Sequence, residues 1–365
     1  MRRIYLWGAL VLSLGLGSAG TVSAHAMSSV RQSSAALVAP GNLRPLEDTQ
    51  VHFITAPSSY AEAAHPHGVN TIASDEGTAV TFTTKYLLPQ PGYRNEAWGD
   101  PQSMTMVGHY LYVIYCPMTW HNRGRMVRLD MAKLASLNAS PLDIQRVYHS
   151  SAANDKHEQA IAAAIKIGPA FVTGHGQSLS YDWKTHQLYM WQDRESAPAV
   201  PVNQEGVIQQ LSQTSLKPVH KVTFRLKAGS FAVPGGHVLA FDKQGRAYFW
   251  TRPNGNEVYI YQGTISRNHV RFRLTHQILE HGPGTHVQSM AYNPSNGRLY
   301  LVADESIASL PVKKLAGSGS LTSGDVLWTH FASRREFEGL SFASDGTAYL
   351  MSNHRPEVFT AREFQ

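Results

Sequence analysis

Apolar and polar residues alternate along this chain in short runs, and the runs come in pairs. Five pairs can be set under one another: "QSMTMVGHYLYVIY" from Gln102, "QSLSYDWKTHQLYMW" from Gln177, "HVLAFDKQGRAYFW" from His237, "QSMAYNPSNGRLYLV" from Gln288 and "EGLSFASDGTAYLM" from Glu338. Alternation with a period of two marks a half-buried strand. Each pair opens on a polar head, usually followed by a small residue, and its second run holds a tyrosine: Tyr112, Tyr189, Tyr248, Tyr300 or Tyr349. Between the runs stand Asp, Asn, Gly, Lys or Pro, which accept tight or left-handed backbone. Similar hairpins recurring at roughly 50 to 75 residues predict a β-propeller.

The intervening segments supply the outer strands. Third strands are predicted at "GRMVRLD", "EGVIQQL", "EVYIYQG", "ESIASLP" and "PEVFTA", and fourth strands at "IQRVYHS", "PVHKVTFRLKA", "HVRFRLTHQIL" and "DVLWTHFA". The fifth repeat lacks a fourth strand, while "TAVTFTTKYLL" (Thr78 to Leu88) precedes the first repeat without a partner. Placing that orphan in the fifth sheet removes the open edges of a ring. The predicted fold is all-β: a five-bladed β-propeller over residues 78–365, closed by an N-terminal strand. One short helical insertion is expected at "DKHEQAIAAAIKI", rich in helix formers and stopped by Gly168-Pro169. A β-sandwich would not require five similar hairpins. A sixth blade would have to come from residues 27–77, where "VHFITA" is the only convincing strand. That Ser/Ala/Pro-rich stretch reads as a leader lying over the surface or partly disordered.

The first 26 residues stand apart from this pattern. Arg2 and Arg3 precede an apolar stretch from Ile4 to Leu16, and Ala24-His25-Ala26 gives the small-residue exit of a secretory signal peptide. The stretch is short for a membrane anchor, and no later segment offers about 18 uncharged apolar residues. The mature chain is therefore expected to be secreted, with no transmembrane segment. Lys and Arg number 32 against 26 Asp and Glu, and two of the basic residues lie in the signal. So small and scattered an excess does not point to nucleic acid, although it favours an anionic cell surface mildly. The single cysteine, Cys116, rules out an intrachain disulfide. It sits in an apolar run and reads as a buried small residue, and an exported chain that avoids cysteine fits a Gram-positive secreted protein. The 18 histidines are many, and acidification is expected to charge most of them.

In a propeller the first strand of each blade lines the central channel. The heads Gln102, Gln177, His237, Gln288 and Glu338 are thus expected to converge at one mouth. Residues two earlier on the same face, Asp100, His175, Gly235, His286 and Glu336, form a second tier. Amide, imidazole and carboxylate groups brought together can hold a polar ligand, or Ca²⁺ with Glu338 as its carboxylate ligand. The glutamine-rich set argues against zinc there. Satisfying one another and trapped water is the alternative use of the same groups. No catalytic residue is assigned. "GHGQSLS" around Ser178 lacks the second glycine and the following helix of a nucleophile turn, and "HEQA" at His157 lacks the second histidine of a zinc protease. Aromatic faces are better candidates for surface binding. The loop "PMTWHNRGR" offers Trp120, His121, Asn122, Arg123 and Arg125 as a platform for a sugar.

Two segments carry a family resemblance: "GPAFVTGHGQSLSYDWKTHQLYMWQDRE" (Gly168 to Glu195) and "EFEGLSFASDGTAYLMSNHR" near the end. They resemble the helveticin J family, large heat-labile bacteriocins of lactic acid bacteria, and the likeness in pattern extends over residues 79–362. It implies a secreted protein that acts on other bacteria by recognising a cell-envelope component or glycan, and it carries over no catalytic residue. Two other functions fit the same sequence. One is a lectin-like, cell-wall-binding propeller of the producer; the other is a cation-dependent propeller hydrolase.

Overall fold

The computed structural model describes residues 27–90, 98–148, 155–193, 205–233, 238–253, 255–315 and 319–365. The fold is predominantly β and propeller-like. Each of the five hairpins begins an antiparallel sheet. The first runs Pro101–Val107, Tyr110–Tyr115 and Arg123–Asp130, with Ile165–Ile167 and Phe171–Val172 both on the last of these. The second runs Ser180–Asp182, Gln187–Trp191, Gly206–Leu211 and Pro218–Arg225, and the third Ala240–Phe241, Ala247–Thr251, Tyr259–Ile265 and Val270–Leu274. The fourth runs Ser289–Asn293, Arg298–Ala303, Ser306–Pro311 and Leu327–Phe331; the fifth runs Phe337–Phe342, Ala348–Ser352, Glu357–Ala361 and Thr81–Leu87.

The same local devices recur. In three hairpin turns an Asx side chain accepts from the backbone two residues on: Asp182 from Lys184, Asp242 from Gln244, and Asn293 from Ser295. First strands of successive sheets lie side by side, and small heads join them. The Ser103 hydroxyl accepts from Leu179 N–H, and the Ser341 hydroxyl accepts from Met106 N–H, which brings the last sheet against the first. Trp250 Nε1 donates to the Ser289 carbonyl between the third and fourth sheets. Large rings fill the wedges further out, where sheets diverge. Trp191 is buried against Phe224, Phe249 and Phe272. Ser178 holds Trp191 through both its N–H and its carbonyl, a strand-pairing role.

Thr81–Leu87, from the orphan run, pairs with Glu357–Ala361 and so joins the two ends of the chain in one sheet. The predicted insertion contains the helix Lys156–Ala162, capped by the Asp155 side chain. Elsewhere the expectation fails. "IQRVYHS" is not a fourth strand, because Asp143–Arg146 is helical and packs Ile144 and Val147 onto the first sheet; strands after residue 164 take the vacated edge.

Residues 27–77 run over the surface as four strands joined by irregular segments. Ser28–Ala35 lies parallel to Pro218–Arg225, Leu37–Val38 parallel to Val270–Leu274, and Arg44–Leu46 parallel to Gln277–Leu279. "VHFITA" is not among them and contributes a single bridge, Ile54 to Gly284. Thr71–Gly77 then pairs with both Leu327–Phe331 and Thr81–Leu87, welding the fourth and fifth sheets into nine strands. Sequence patterning misses these strands because they add to edges already built. Their side chains need only cap a neighbour, so no alternation is imposed on them. Among the described residues no helix is long and apolar enough to cross a membrane.

Candidate functional site

The described heads meet where expected. Gln102, Gln177, Gln288 and Glu338 line one cavity of about 580 Å³, together with the second-tier residues Asp100, His175, His286 and Glu336. His237 and Gly235 lie outside the described residues. Glycines on either side present His175: Gly174 and Gly176 adopt φ of 65° and 89°, a backbone that side-chain-bearing residues rarely hold.

Glu338 sits at the floor, 2% exposed. Three amide groups face its carboxyl at long range, Gln102 Nε2 and Gln177 Nε2 at 3.5 Å and Asn353 Nδ2 at 3.4 Å. Burial, followed by the nearby charges of Glu336 and Asp304, raises its pKa well above the ordinary carboxylate range. Such a shell of N–H donors suits a carboxyl acceptor.

From the floor a hydrogen-bond chain runs to one wall. Gln177 Nε2 donates to Gln288 Oε1 at 2.8 Å, and Gln288 Nε2 donates to Asp304 Oδ1 at 2.9 Å. Asp304 also accepts from Phe337 N–H at 3.0 Å and from the Tyr60 hydroxyl at 2.6 Å, and His286 Nδ1 lies 3.0 Å from its Oδ2. The bond to Asp304 raises the pKa of His286. Glu336 stands above this chain and has a pKa of about 7, raised first by burial and then by the negative charge of Asp304. His354 Nε2 is 3.2 Å from Glu336 Oε2, and its ring stacks on Tyr60 at 5.1 Å.

Asp304, Asn353, Arg252, Tyr60 and His354 were not foreseen. A signal for three of them is present in the sequence. Cys116, Asp193, Arg252, Asp304 and Asn353 each stand four residues after the tyrosine of their repeat, at the end of the second strand. Cys116, Arg252 and Asn353 face the cavity, Asp304 is buried behind Gln288, and Asp193 accepts from His175 N–H at 3.1 Å instead. Cys116 is therefore half-buried on the cavity wall, with its Sγ 3.1 Å from the Gly174 carbonyl, and is not the core residue its apolar neighbours suggested. Tyr60 comes from the N-terminal stretch and has no counterpart in the repeats.

The second candidate surface adjoins the first. Met118–Trp120 forms a short 3-10 turn, and its first N–H is held by the Asp100 carboxylate at 3.0 Å. Met118 and Asn122 line the cavity. Trp120 is half-buried with the Arg125 guanidinium 4.8 Å from its ring centre, while His121 and Arg123 are exposed beside it. Floor, wall and rim thus combine acceptors, donors and an apolar lip, an arrangement that can grip a molecule carrying many hydroxyl groups.

No protein-family model matches this chain, and no curated protein sequence matches it. Among solved structures it is similar to an exo-β-1,3-galactanase from Clostridium thermocellum, with 13% identity, a TM-score of 0.43, and coverage of 77% of this chain and 62% of that one. The chain thus spans less than two thirds of the galactanase. It is also similar to a glucose dehydrogenase (12% identity, TM-score 0.35, 76% of this chain and 100% of that one) and to a luciferin-regenerating enzyme (9%, 0.33, 74% and 78%). Likenesses this distant decide nothing about the chemistry of the cavity, which rests on its own residues.

Proposed function

We propose that the protein is a secreted, bacteriocin-like propeller of the helveticin J kind, whose axial cavity binds a hydroxyl-rich segment of another bacterium's envelope glycan. The five hairpin-headed sheets are read as five blades around that axis. One observation carries the binding reading: repeat heads and repeat ends, far apart in sequence, converge on a single polar cavity of about 580 Å³. That volume suits a small saccharide, and carboxyl, amide and imidazole groups match hydroxyls as donors and acceptors. Secretion is supported by the signal-like first 26 residues, and action against other bacteria by the family resemblance. The test is binding of the purified chain to wall glycan from related strains, with viability of those strains followed alongside. Gln177→Ala and Glu338→Gln are expected to weaken retention at least tenfold while the melting profile is kept. Retention without loss of viability supports the lectin-like alternative, and undiminished retention by both variants removes the cavity as the binding site.

A second reading, hydrolysis of a glycosidic bond in the same cavity, is favoured by Glu336. A carboxyl with a pKa of about 7 beside an aspartate held by four donors supports a general-acid role. Release of reducing ends from wall glycan, lost in Glu336→Gln, supports it.

A further inference from the structure

A second cluster of chemistry-bearing side chains lies away from the cavity, where Thr71–Gly77 docks on Leu327–Phe331. The register there is irregular: Glu76 stands opposite His330 and Ser74 opposite Phe331, so Asp75 is the extra residue of a β-bulge. In a regular strand Asp75 and Glu76 would point to opposite faces. The bulge turns both toward His330, and the ligating atoms of all three lie within 4.8 Å of one another. His330 Nδ1 is 2.8 Å from Asp75 Oδ1, yet this buried nitrogen makes no hydrogen bond, because the two atoms are close without being aligned. Close but unaligned N and O atoms are what two ligands of one ion present. His52 stands at the edge of the cluster, its Nδ1 3.6 Å from Glu76 Oε2.

The surroundings hold these groups in place. His52 and His330 both lie against the Trp328 indole, at 4.7 and 6.0 Å, and Trp328 Nε1 is fixed by the Ser306 hydroxyl at 2.7 Å. The strand ends at Gly77 with φ of 77°, where a Cβ would stand 2.1 Å from the Trp328 carbonyl, so the two strands approach closely beside the cluster.

We infer that Asp75, Glu76 and His330 form a binding site for a divalent metal ion of the zinc class, which staples the N-terminal strand to the fourth sheet. One imidazole and two carboxylates give a mixed nitrogen and oxygen set of three, which zinc accepts with water as its fourth ligand. Calcium, which wants six to eight oxygens, is disfavoured by the same set. A metal bound by folded chain alone stabilises it by mass action, in a protein that has no disulfide to lock its ends.

The test uses the full untagged chain, dialysed against chelator and titrated with ZnCl₂ or CaCl₂ by calorimetry and by thermal melting. One zinc per chain is expected, with a rise in melting temperature of a few degrees once free zinc exceeds Kd about a hundredfold. Calcium is expected to give neither. Asp75→Asn and Glu76→Gln change exposed side chains; each is expected to weaken zinc at least tenfold and leave the metal-free melting temperature in place. No zinc binding by the parent chain, equal binding of calcium, or zinc affinity unchanged in both variants would overturn the inference. So would a zinc response that survives Asp75→Asn and vanishes in His286→Gln, which would place the metal in the axial cavity.

Discussion

Glu336 makes stability depend on pH in a direction opposite to most carboxylates. Its pKa is about 7 in the folded chain against an ordinary 4.5, so folding favours its protonated form. The contribution is complete below pH 4.5 and is lost as pH rises through about 7. At 1.36 kcal/mol for each tenfold change the full difference is roughly 3 kcal/mol, and solvent screening at the cavity mouth cuts it to about 1–2 kcal/mol. For a chain of this size that corresponds to a fall in melting temperature of ~2–4 °C between pH 5 and pH 8. Glutamine has the same shape as the protonated carboxyl and cannot ionise. Glu336→Gln is therefore expected to match the parent at pH 5 and to melt above it at pH 8. His286, whose pKa is also raised, loses its contribution in the same direction as pH climbs, so the variant keeps a shallower slope. Melting temperature by circular dichroism, in half-unit steps of pH at constant ionic strength, reads this directly. Parallel curves for parent and variant would refute the placement of a proton-hungry carboxyl beside Asp304.

Other perturbations test the frame. Arg335 pairs with Glu357 at 2.7 Å in the interior, and Glu357 also accepts from Asn70 and Thr84. Arg335→Met strands that carboxylate and is expected to cost ~3–5 kcal/mol in urea unfolding. Trp191→Ala leaves a cavity among three phenylalanines, for a loss of about 3–5 kcal/mol. Gln32 closes a reciprocal pair of bonds with the backbone of Val270, at 2.8 and 3.0 Å. Gln32→Ala is expected to cost about 1–2 kcal/mol and to speed proteolytic clipping near residue 32, with the rest of the fold resistant.

The hairpins were legible because a strand with one wet and one dry face must alternate, and repetition made each copy a check on the others. The channel heads followed from the same geometry, since the first strand of each repeat must face the axis. Asp304 and Asn353 were legible in principle but lie just past the second strand, outside the alternating run that defines the repeat. Tyr60 and the strands of residues 27–77 were not legible. Edge strands that dock parallel on finished sheets are selected by a surface formed elsewhere in the chain, so their own sequences carry little periodicity. The helix at Asp143–Arg146 replaced an expected strand for a related reason: "IQRVYHS" is apolar enough for either state, and packing against the first sheet decided it.

The strand Thr71–Gly77 meets Leu327–Phe331 across about 250 residues of intervening chain, and Thr81–Leu87 waits for Glu357–Ala361 across a longer stretch still. A chain made from its N-terminus therefore emits these two strands, which pair with each other, long before Leu327–Phe331 and Glu357–Ala361 exist. Contact order this high makes closure the slow and final event of folding. Until then the outer edges of that pair stay unfilled, and the topology itself delays the native state until synthesis is nearly done.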